Sequence, residues 1–272
     1  MTIREKDSAF TGSIPMLYEK LLVPMIFESY AADMVARLFA HRPSRVLEVA
    51  AGTGVVTRRM ASELPPSATI VASDLNQAMV EMGSSLTAGR HVEWRQADAM
   101  QLPFADGSFD AIVCQFGVMF FPDKAKAFSQ ARRVLKPGGV FLFSVWDRIE
   151  ENEFANVVEE TLAGLFPQDP PRFLSRTPHG YFDHAAIARD LAAGGFQSPA
   201  QISTVPARSR AASAGIPALA YCQGSPLRGE IEARDATRLD EATDRVKQAL
   251  AQRFGQGAVD GKIRAHIVSV VA

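Results

Sequence analysis

The chain has 272 residues, 47% hydrophobic and 22% charged, which is typical of a globular protein that buries a substantial core. Lysine and arginine number 29 against 30 acidic residues, so a formal net charge of -1 argues against a nucleic-acid partner. The two cysteines, Cys114 and Cys222, exclude a disulfide framework and lack zinc-ligand spacing, so we expect no metal site. The N-terminus is charged and no apolar run follows it, so we expect a cytoplasmic protein without membrane insertion.

The predicted elements begin with two helices between Pro15 and Ala40, the second starting at Pro24. From residue 45 onward, short apolar strands alternate with helical stretches, which predicts a doubly wound α/β fold with parallel strand pairing. The predicted strands are 45–49, 69–73, 92–95, 110–114 and 140–146, and the predicted helices between them are 55–63, 77–85 and 124–135.

Beyond Trp146 the pattern is less regular and contains a proline-rich stretch at 167–181. Two further strands, at 201–206 and 263–271, complete a seven-stranded, mostly parallel sheet. Helices are predicted at 153–165, 184–193, 211–221 and 230–254.

Two features at the strand ends predict an adenosine-type ligand. The stretch Leu47 to Gly54 leaves the first strand and enters a helix, so its glycines permit close ligand approach and the helix start supplies N–H donors. Asp74 ends the second strand, where a carboxylate can accept both hydroxyls of a ribose.

The same loop argues against a dinucleotide. A dinucleotide fingerprint has a third glycine where this chain has Thr57, and Glu48, just before the loop, would repel a pyrophosphate. A carboxylate would instead bind an ammonium group, which favours a ligand that joins adenosine to an amino-acid tail.

Five motifs in order along the chain resemble those of the class I S-adenosylmethionine-dependent methyltransferases, over roughly residues 30–147. The most similar subgroup acts on small molecules and includes the ubiquinone and menaquinone biosynthesis C-methyltransferases. The motifs are residues 48–54, 74–76, 97–99, 109–114 and 135–139. The resemblance implies the Rossmann-like methyltransferase fold with S-adenosyl-L-methionine as cofactor, and a mainly helical lid formed by the N-terminal helices and the C-terminal insertions. It divides the chain into lid helices at 1–40, a cofactor-binding core at 41–147, and strands with lid insertions at 148–272.

The resemblance also implies a role for individual residues in cofactor binding. Glu48 and the loop residues Ala50, Gly52 and Gly54 hold the methionine moiety, and Asp74 binds the ribose. Leu75 and Met79 line the adenine slot, Asp98 and the Ala99 N–H bind the adenine edge, Gln115 and Phe116 lie beside the sulfonium, and Tyr18 closes over the cofactor. Asp98 has a simpler interpretation as a turn cap. Ala50 stands where the family often has glycine, and we expect its φ to stay negative.

Methyl transfer depends mainly on alignment of the nucleophile, and a general base can assist. The candidate bases are His179, Tyr181 and His184, with Tyr221 as a further candidate, and each also has a purely structural interpretation. Cys114, at the end of the fourth strand, is expected to be a core residue rather than a nucleophile.

The favoured function is methyl transfer to a small, partly apolar acceptor through an oxygen, nitrogen or carbon nucleophile. The alternatives are a non-catalytic cofactor-binding protein of the same fold, an NAD(P)-dependent oxidoreductase and, last, a nucleic-acid methyltransferase. The expected partners are a small-molecule acceptor and a second copy of the chain in a homodimer.

Overall fold

A computed structural model describes residues 12–272. The expectations for residues 1–11, which are the charged N-terminus and the start of the lid, lie outside the described residues. Within residues 12–272 no helix combines the length and the apolar character needed to cross a bilayer.

The described chain begins with an unbroken helical path. An α-helical turn, α1 (Ile14–Leu17), leads into a π-helical segment (Tyr18–Phe27) and then into α2 (Glu28–Ala40). The prediction that a second helix starts at Pro24 is wrong, because Pro24 lies inside the π-helical segment. Proline has no N–H and its ring crowds the preceding turn, and the wider π-helical turns accommodate both effects without ending the helix.

The predicted alternation of strands and helices between residues 45 and 146 is confirmed. The strands are β1 (Arg45–Val49), β2 (Thr69–Asp74), β3 (Val92–Gln96), β4 (Phe109–Gln115) and β5 (Leu135–Trp146), and the helices are α3 (Val55–Glu63), α4 (Gln77–Leu86) and α5 (Lys124–Val134). The start of β5 differs from the prediction of a strand over 140–146, because the motif at 135–139 also belongs to the strand and contains an irregularity in its pairing. Phe109 of β4 pairs with Leu135, whereas Ala111 already pairs with Val140.

The second half of the chain departs further from the predicted boundaries. The helices are α6 (Glu153–Leu165), α7 (Phe173–Arg176), α8 (His184–Ala193), α9 (Gly215–Gln223), α10 (Leu227–Asp235) and α11 (Leu239–Phe254), and the strands are β6 (Gln201–Ala211) and β7 (Val259–Val271). The prediction of one helix over 230–254 is wrong, since a 3-10 turn (Ala236–Arg238) separates α10 from α11. The Asp235 side chain accepts the Thr237 N–H at 2.9 Å and thereby caps a new helical start.

All seven strands form one sheet in the order β3-β2-β1-β4-β5-β7-β6, which confirms the predicted seven-stranded sheet. The pairs β1–β2, β2–β3, β1–β4 and β4–β5 are parallel. The direction in which the chain adds strands reverses between β1 and β4. At such a reversal the carboxyl ends of the strands leave a crevice, where open α/β sheets bind their ligands.

The chain forms two compact units. Within the described residues, the first unit comprises 12–27, 146–180 and 206–264, and the second comprises 28–145, 181–205 and 265–272. Buried apolar side chains of α2, α3 and the strands β1, β2, β4 and β5 form a core in the second unit, among them Met34, Leu38 and Met60. In the first unit, α9 and α6 both pack against α11. The expected division into three consecutive segments stays a prediction.

Candidate active site

The residues that follow β1 and β2 come together at the crevice of the second unit. The Asp74 Oδ2 accepts the Gly52 N–H at 2.8 Å, and its Oδ1 accepts the Asn76 N–H at 2.8 Å. The Ala51 N–H donates to the Ser73 carbonyl at 2.9 Å, so the glycine loop is fixed against the end of β2. The Asp74 Oδ1 also accepts the Asn76 Nδ2–H at 3.4 Å, so the remaining lone pair of Oδ2 is the position left for a ribose hydroxyl. Burial raises the pKa of Asp74, and these backbone hydrogen bonds partly oppose the rise.

Glu48 is the second buried carboxyl group near this loop. It is 1% exposed, and its Oε2 accepts a hydrogen bond from the Thr57 hydroxyl. Burial raises the pKa of Glu48 to about 8, although the Thr57 hydroxyl and the charge of Arg58 both oppose the rise. Thr57 occupies the position of the third glycine in a dinucleotide fingerprint, and its hydroxyl forms a hydrogen bond to the Glu48 carboxyl group. A cation that reached Glu48 would lower its pKa and be bound in return.

The loop itself contains an unsatisfied donor. The Thr53 hydroxyl is buried and has no hydrogen-bond partner within residues 12–272. The Thr53 carbonyl, in contrast, accepts the Arg58 Nη1 at 2.7 Å. A buried polar atom without a partner is costly, so a ligand that accepts from Thr53 would gain binding free energy here.

Two non-glycine residues at the crevice have left-handed backbone conformations. The φ of Ala50, after β1, is +53°, so the expectation of a negative φ there is wrong, and Phe116, after β4, has a φ of +52°. The Phe116 N–H donates to the carbonyl and the hydroxyl of Ser144 at 3.2 and 3.1 Å, which holds that conformation. A Cβ added to Gly117 would lie 2.5 Å from the Ala50 Cβ and 2.7 Å from the Cys114 Sγ. The loops after β1 and β4 are therefore packed directly on each other, and strained backbone of this kind is concentrated at functional sites.

The residues expected at the adenine differ in their surroundings. Met79 is buried at 2% exposure, whereas Leu75 is a large apolar side chain at 50% exposure. Asp98 caps a turn, since its Oδ1 accepts the Met100 N–H at 2.8 Å. Its Oδ2 makes no hydrogen bond to other groups of the described chain, so the turn-cap interpretation leaves one oxygen available. Ala99 is buried and Gln115 partly buried.

The three candidate bases are in different environments. His179 belongs to the first unit, is 5% exposed, and its Nδ1 lies 2.8 Å from the Asp147 carbonyl. Burial lowers the pKa of His179 to about 4, so the ring is neutral at pH 7. A neutral ring that donates through Nδ1 presents its Nε2 as an acceptor.

Tyr181 and His184 belong to the second unit. The Tyr181 hydroxyl donates to the Asp190 Oδ2 at 2.9 Å, and Lys124 lies over its ring at 4.7 Å. Burial, followed by the Asp190 hydrogen bond, raises the pKa of the Tyr181 phenol well above its ordinary value. His184 is an exposed residue at the start of α8, and its ring packs edge-on against His266 at 4.4 Å.

The remaining residues considered in the sequence analysis are Tyr18, Tyr221 and Cys114. Tyr18 and Tyr221 belong to the first unit, where the ring of Tyr18 lies 5.1 Å from that of Phe27. Burial raises the pKa of the Tyr221 phenol. Cys114 is fully buried, which confirms it as a core residue, and burial raises the pKa of its thiol.

Sequence reasoning assigned no role to three residues that shape the crevice: Thr53, Asn76 and Ser144. Thr53 and Asn76 lie inside recognised motifs. Counting the hydrogen-bond donors of the glycine loop and of the turn after Asp74 would have identified them. Ser144 lies 28 residues from Phe116, and no local pattern reveals that contact.

Comparison with known proteins shows what the middle of the chain is similar to. Residues 47–143 match the model of the methyltransferase domain family, and the five motifs, the strand order and the crevice carry the same signature. Over these residues the chain is similar to the class I S-adenosylmethionine-dependent methyltransferases. Its curated relatives include the ubiquinone/menaquinone biosynthesis C-methyltransferase of Hahella chejuensis, 31% identical over 163 residues, which are 51% of this chain and 66% of that protein. The aligned part is thus just under two thirds of that relative.

Solved structures show the fold. A phosphoethanolamine N-methyltransferase 2 of Haemonchus contortus, in complex with S-adenosyl-L-methionine, has a TM-score of 0.60 and 18% identity, covering 100% of this chain and 60% of that one. The cyclase SpnF has a TM-score of 0.57 and 18% identity, covering 90% of this chain and 81% of that one. The same fold is therefore shared by proteins with different named activities.

Proposed function

We propose that this protein transfers a methyl group from S-adenosyl-L-methionine to a small, partly apolar organic acceptor. The observation that carries the proposal is the hydrogen bond from the Gly52 N–H to the Asp74 carboxylate at 2.8 Å. It joins the glycine loop to the acidic end of β2, beside the buried Glu48, in the crevice where the strand order reverses.

The charges of the crevice suit this cofactor. S-adenosylmethionine carries an ammonium group and a sulfonium, and the crevice offers two buried carboxyl groups, Glu48 and Asp74. In the proposed arrangement Glu48 and the loop at Ala50, Gly52 and Gly54 bind the methionine moiety, and Asp74 accepts a ribose hydroxyl. A dinucleotide would place its pyrophosphate at the glycine loop, beside Glu48, where an acidic group disfavours it.

The adenine contacts follow from the remaining residues of the second unit. In the proposed arrangement the exposed side chain of Leu75 and the buried side chain of Met79 supply apolar contacts to the adenine. The Asp98 Oδ2 accepts from the adenine amino group while its Oδ1 keeps the turn, and the Ala99 N–H donates to a ring nitrogen.

When bound, the cofactor supplies an electrophilic methyl group attached to a positively charged sulfur. The chain has to align the acceptor and exclude water. Gln115 is the last residue of β4 and Phe116 follows it, beside the Ala50 loop, and we assign both to the sulfonium end of the crevice. The role of Tyr18, which belongs to the first unit, stays a prediction.

Of the three predicted bases, His179 has the chemistry best suited to receiving a proton. Its Nδ1 is engaged by the Asp147 carbonyl, so its Nε2 is the accepting atom. A pKa of about 4 makes the ring a weak base at pH 7, so the support for His179 is its accepting Nε2 atom and not its pKa. Tyr181 already donates to Asp190 and its phenol resists ionisation, and His184 lies exposed at a helix start.

A row of aromatic rings in the first unit supports an apolar acceptor. Tyr18 and Phe27 lie 5.1 Å apart, Phe27 and Trp146 6.1 Å apart, and Trp146 and His179 6.0 Å apart, between ring centroids. Trp146 is the last residue of β5, at the carboxyl end of the strand. A spatial row of uncharged rings provides flat apolar surface, which suits an acceptor that contains an aromatic or quinone-like ring. The name of the Hahella chejuensis relative supports carbon as the methylated atom.

Calorimetric titration tests the cofactor half of the proposal. S-adenosylmethionine and its demethylated product should both bind, NADH should not, and Asp74→Ala should abolish the binding. Asp33→Ala, which removes a surface ion pair with Arg37, is the matched control and should bind normally. Binding of NADH alone would overturn the assignment of Glu48 and favour an oxidoreductase.

Transfer itself is tested with methyl-labelled cofactor and a panel of quinone-like, phenolic and amine acceptors. The expected result is label in an acceptor together with one equivalent of demethylated cofactor. Cofactor binding without transfer to any acceptor would favour the non-catalytic alternative.

A further inference from the structure

Trp94, on the edge strand β3, contacts two glycines that belong to neighbouring helices. A Cβ added to Gly54 would lie 2.9 Å from the Trp94 Cζ2, and one added to Gly83 would lie 2.2 Å from its Cη2. The indole N–H donates to the Thr87 hydroxyl at 2.8 Å. The indole therefore occupies the space that side chains at 54 and 83 would need.

Both glycines lie on elements of the proposed cofactor site. Gly54 is the residue before α3, with a φ of +87° that favours glycine. Its N–H donates to the Ala51 carbonyl at 2.9 Å, and its carbonyl accepts the Arg58 N–H at 2.8 Å, so its position determines how the loop closes. Gly83 lies in α4, the helix that carries Met79.

The glycine at 83 is unfavourable for the helix that contains it. A glycine in a helix interior is less stable than an alanine, because more backbone entropy is lost on folding. Glycine at position 83 leaves room for the indole of Trp94 to pack directly on the backbone of the helix. Thr87 strengthens the arrangement, since its hydroxyl also donates to the Gly83 carbonyl at 2.9 Å while it accepts from Trp94.

We propose that Trp94 is a positioning residue for the cofactor, a role that rests on the proposed function. Its indole holds the Gly54 turn at a fixed distance from α4, so that the loop that binds the methionine moiety and the helix that borders the adenine keep one geometry. Loss of the indole leaves a gap between α3 and α4, into which the loop relaxes. Part of the binding free energy is then used to restore the bound geometry of the loop, so the affinity for the cofactor falls.

The first test is the affinity of Trp94→Leu for S-adenosylmethionine. We expect the Kd to rise about tenfold, while kcat at saturating cofactor and acceptor stays within about twofold. A variant that loses thermal stability but keeps its Kd would show a purely structural role and overturn the proposal.

The second test uses Gly83, because it changes the position of the indole without removing it. Gly83→Ala places a methyl group against the indole and should also weaken cofactor binding. The double variant Gly83→Ala/Trp94→Leu has room for that methyl group, so it should bind no worse than Trp94→Leu alone. Additive losses in the double variant would contradict a shared contact.

Two further readouts separate this proposal from the proposed function. The chain has only two tryptophans, so in Trp146→Phe the fluorescence reports Trp94 alone and should change when the cofactor binds.

Amide exchange of residues 51–54, measured without any ligand, should be faster in Trp94→Leu than in the wild type, with β1 unchanged. If the wild type binds no S-adenosylmethionine, the proposed function fails and the exchange data alone decide the positioning role. Unchanged exchange would overturn it.

Discussion

At the scale of single residues, the crevice contains two carboxyl groups that burial keeps from ionising easily. Glu48 is 1% exposed and Asp74 7% exposed, and the pKa of each is raised with burial as the main cause. The site without ligand is therefore less negative than its sequence indicates, and a bound cation would restore the charge by displacing protons.

We expect Glu48→Gln to remove a pH dependence of stability. The pKa of Glu48 is about 8 in the folded chain against 4.5 for the ordinary group. Between these values the folded state binds more protons than the unfolded state, so this group lowers the stability as the pH rises, by about 1.4 kcal/mol per unit. Below pH 4.5 both states hold the proton and the effect disappears. Denaturant unfolding of both proteins from pH 5 to pH 8 should show a growing advantage for the variant.

The comparison of the two proteins matters because Asp74 contributes a pH dependence of the same sign. The difference between variant and wild type isolates Glu48. A difference that stays constant from pH 5 to pH 8 would contradict the raised pKa of this carboxyl group.

The strained backbone of Ala50 gives a second expectation. A left-handed φ costs an L-residue about 1–2 kcal/mol, and glycine removes that cost while it adds about 0.4–1 kcal/mol of unfolded-state entropy. Ala50→Gly should therefore be neutral or stabilising by up to about 1 kcal/mol, measured by denaturant unfolding. Its neighbour Ala51, which has no positive φ, is the matched control, and Ala51→Gly should destabilise.

The identities of the site residues could be predicted from the sequence, but their conformations could not. The motif around Glu48 and Gly54 and the position of Asp74 are local patterns. The φ of Ala50 depends on a loop more than 60 residues away, where Gly117 leaves room for the Ala50 methyl group. A contact at that separation has no local signature, so the expectation of a negative φ failed.

At the scale of elements, β6 lies at one edge of the sheet and is held there by α2. The fully buried Tyr30 of α2 donates its hydroxyl to the Val205 carbonyl at 3.1 Å, and Arg37 donates to the Ser203 hydroxyl at 3.3 Å. Edge strands have unpaired backbone groups, and the Tyr30 hydroxyl provides a donor for one backbone carbonyl of this strand, that of Val205.

We expect Tyr30→Phe to destabilise the protein by about 0.5–1.5 kcal/mol, because the Val205 carbonyl loses its donor. Amide exchange in residues 201–205 should become faster. Tyr221→Phe is the matched control, since within residues 12–272 the Tyr221 hydroxyl has no hydrogen bond to a protein group, and its removal should be close to neutral. Equal losses in both variants would show that the hydroxyl of Tyr30 contributes only through packing.

Helices and strands were predicted correctly where apolar strands and helices alternate regularly along the sequence. The prediction failed where contacts with other parts of the fold determine how a helix begins or ends. Between β1 and β5 the apolar strands and their glycine and proline boundaries are local signals, and the structure follows them. Pro24 is a helix breaker by its local chemistry, yet it lies within a π-helical path. Likewise the 230–254 stretch has a continuous helical pattern, and only the Asp235 cap shows where it divides.

At the scale of the whole molecule, the proposed cofactor residues other than Tyr18 all belong to the second unit. Hydrogen exchange with saturating S-adenosylmethionine should therefore slow mainly in residues 47–54, 74–79, 98–99 and 115–117. Protection of residues 12–27 by the cofactor would support the role of Tyr18. Protection confined to the first unit would contradict the assigned site.

The expected homodimer is a separate prediction at this scale. Sedimentation of the purified protein at several concentrations should show a mass near twice 29.5 kDa. A mass near 29.5 kDa at every concentration would contradict it.

The chain passes between the two units after residues 27, 145, 180, 205 and 264. Neither unit is a continuous stretch, so neither can be obtained by cutting the chain at one point. During synthesis, the second unit also has to wait for residues 265–272, which are made after every residue of the first unit has been added. Contacts between such distant stretches slow folding because a long loop must close before they form. Nascent chains of this protein should therefore depend on chaperones until translation has passed β7.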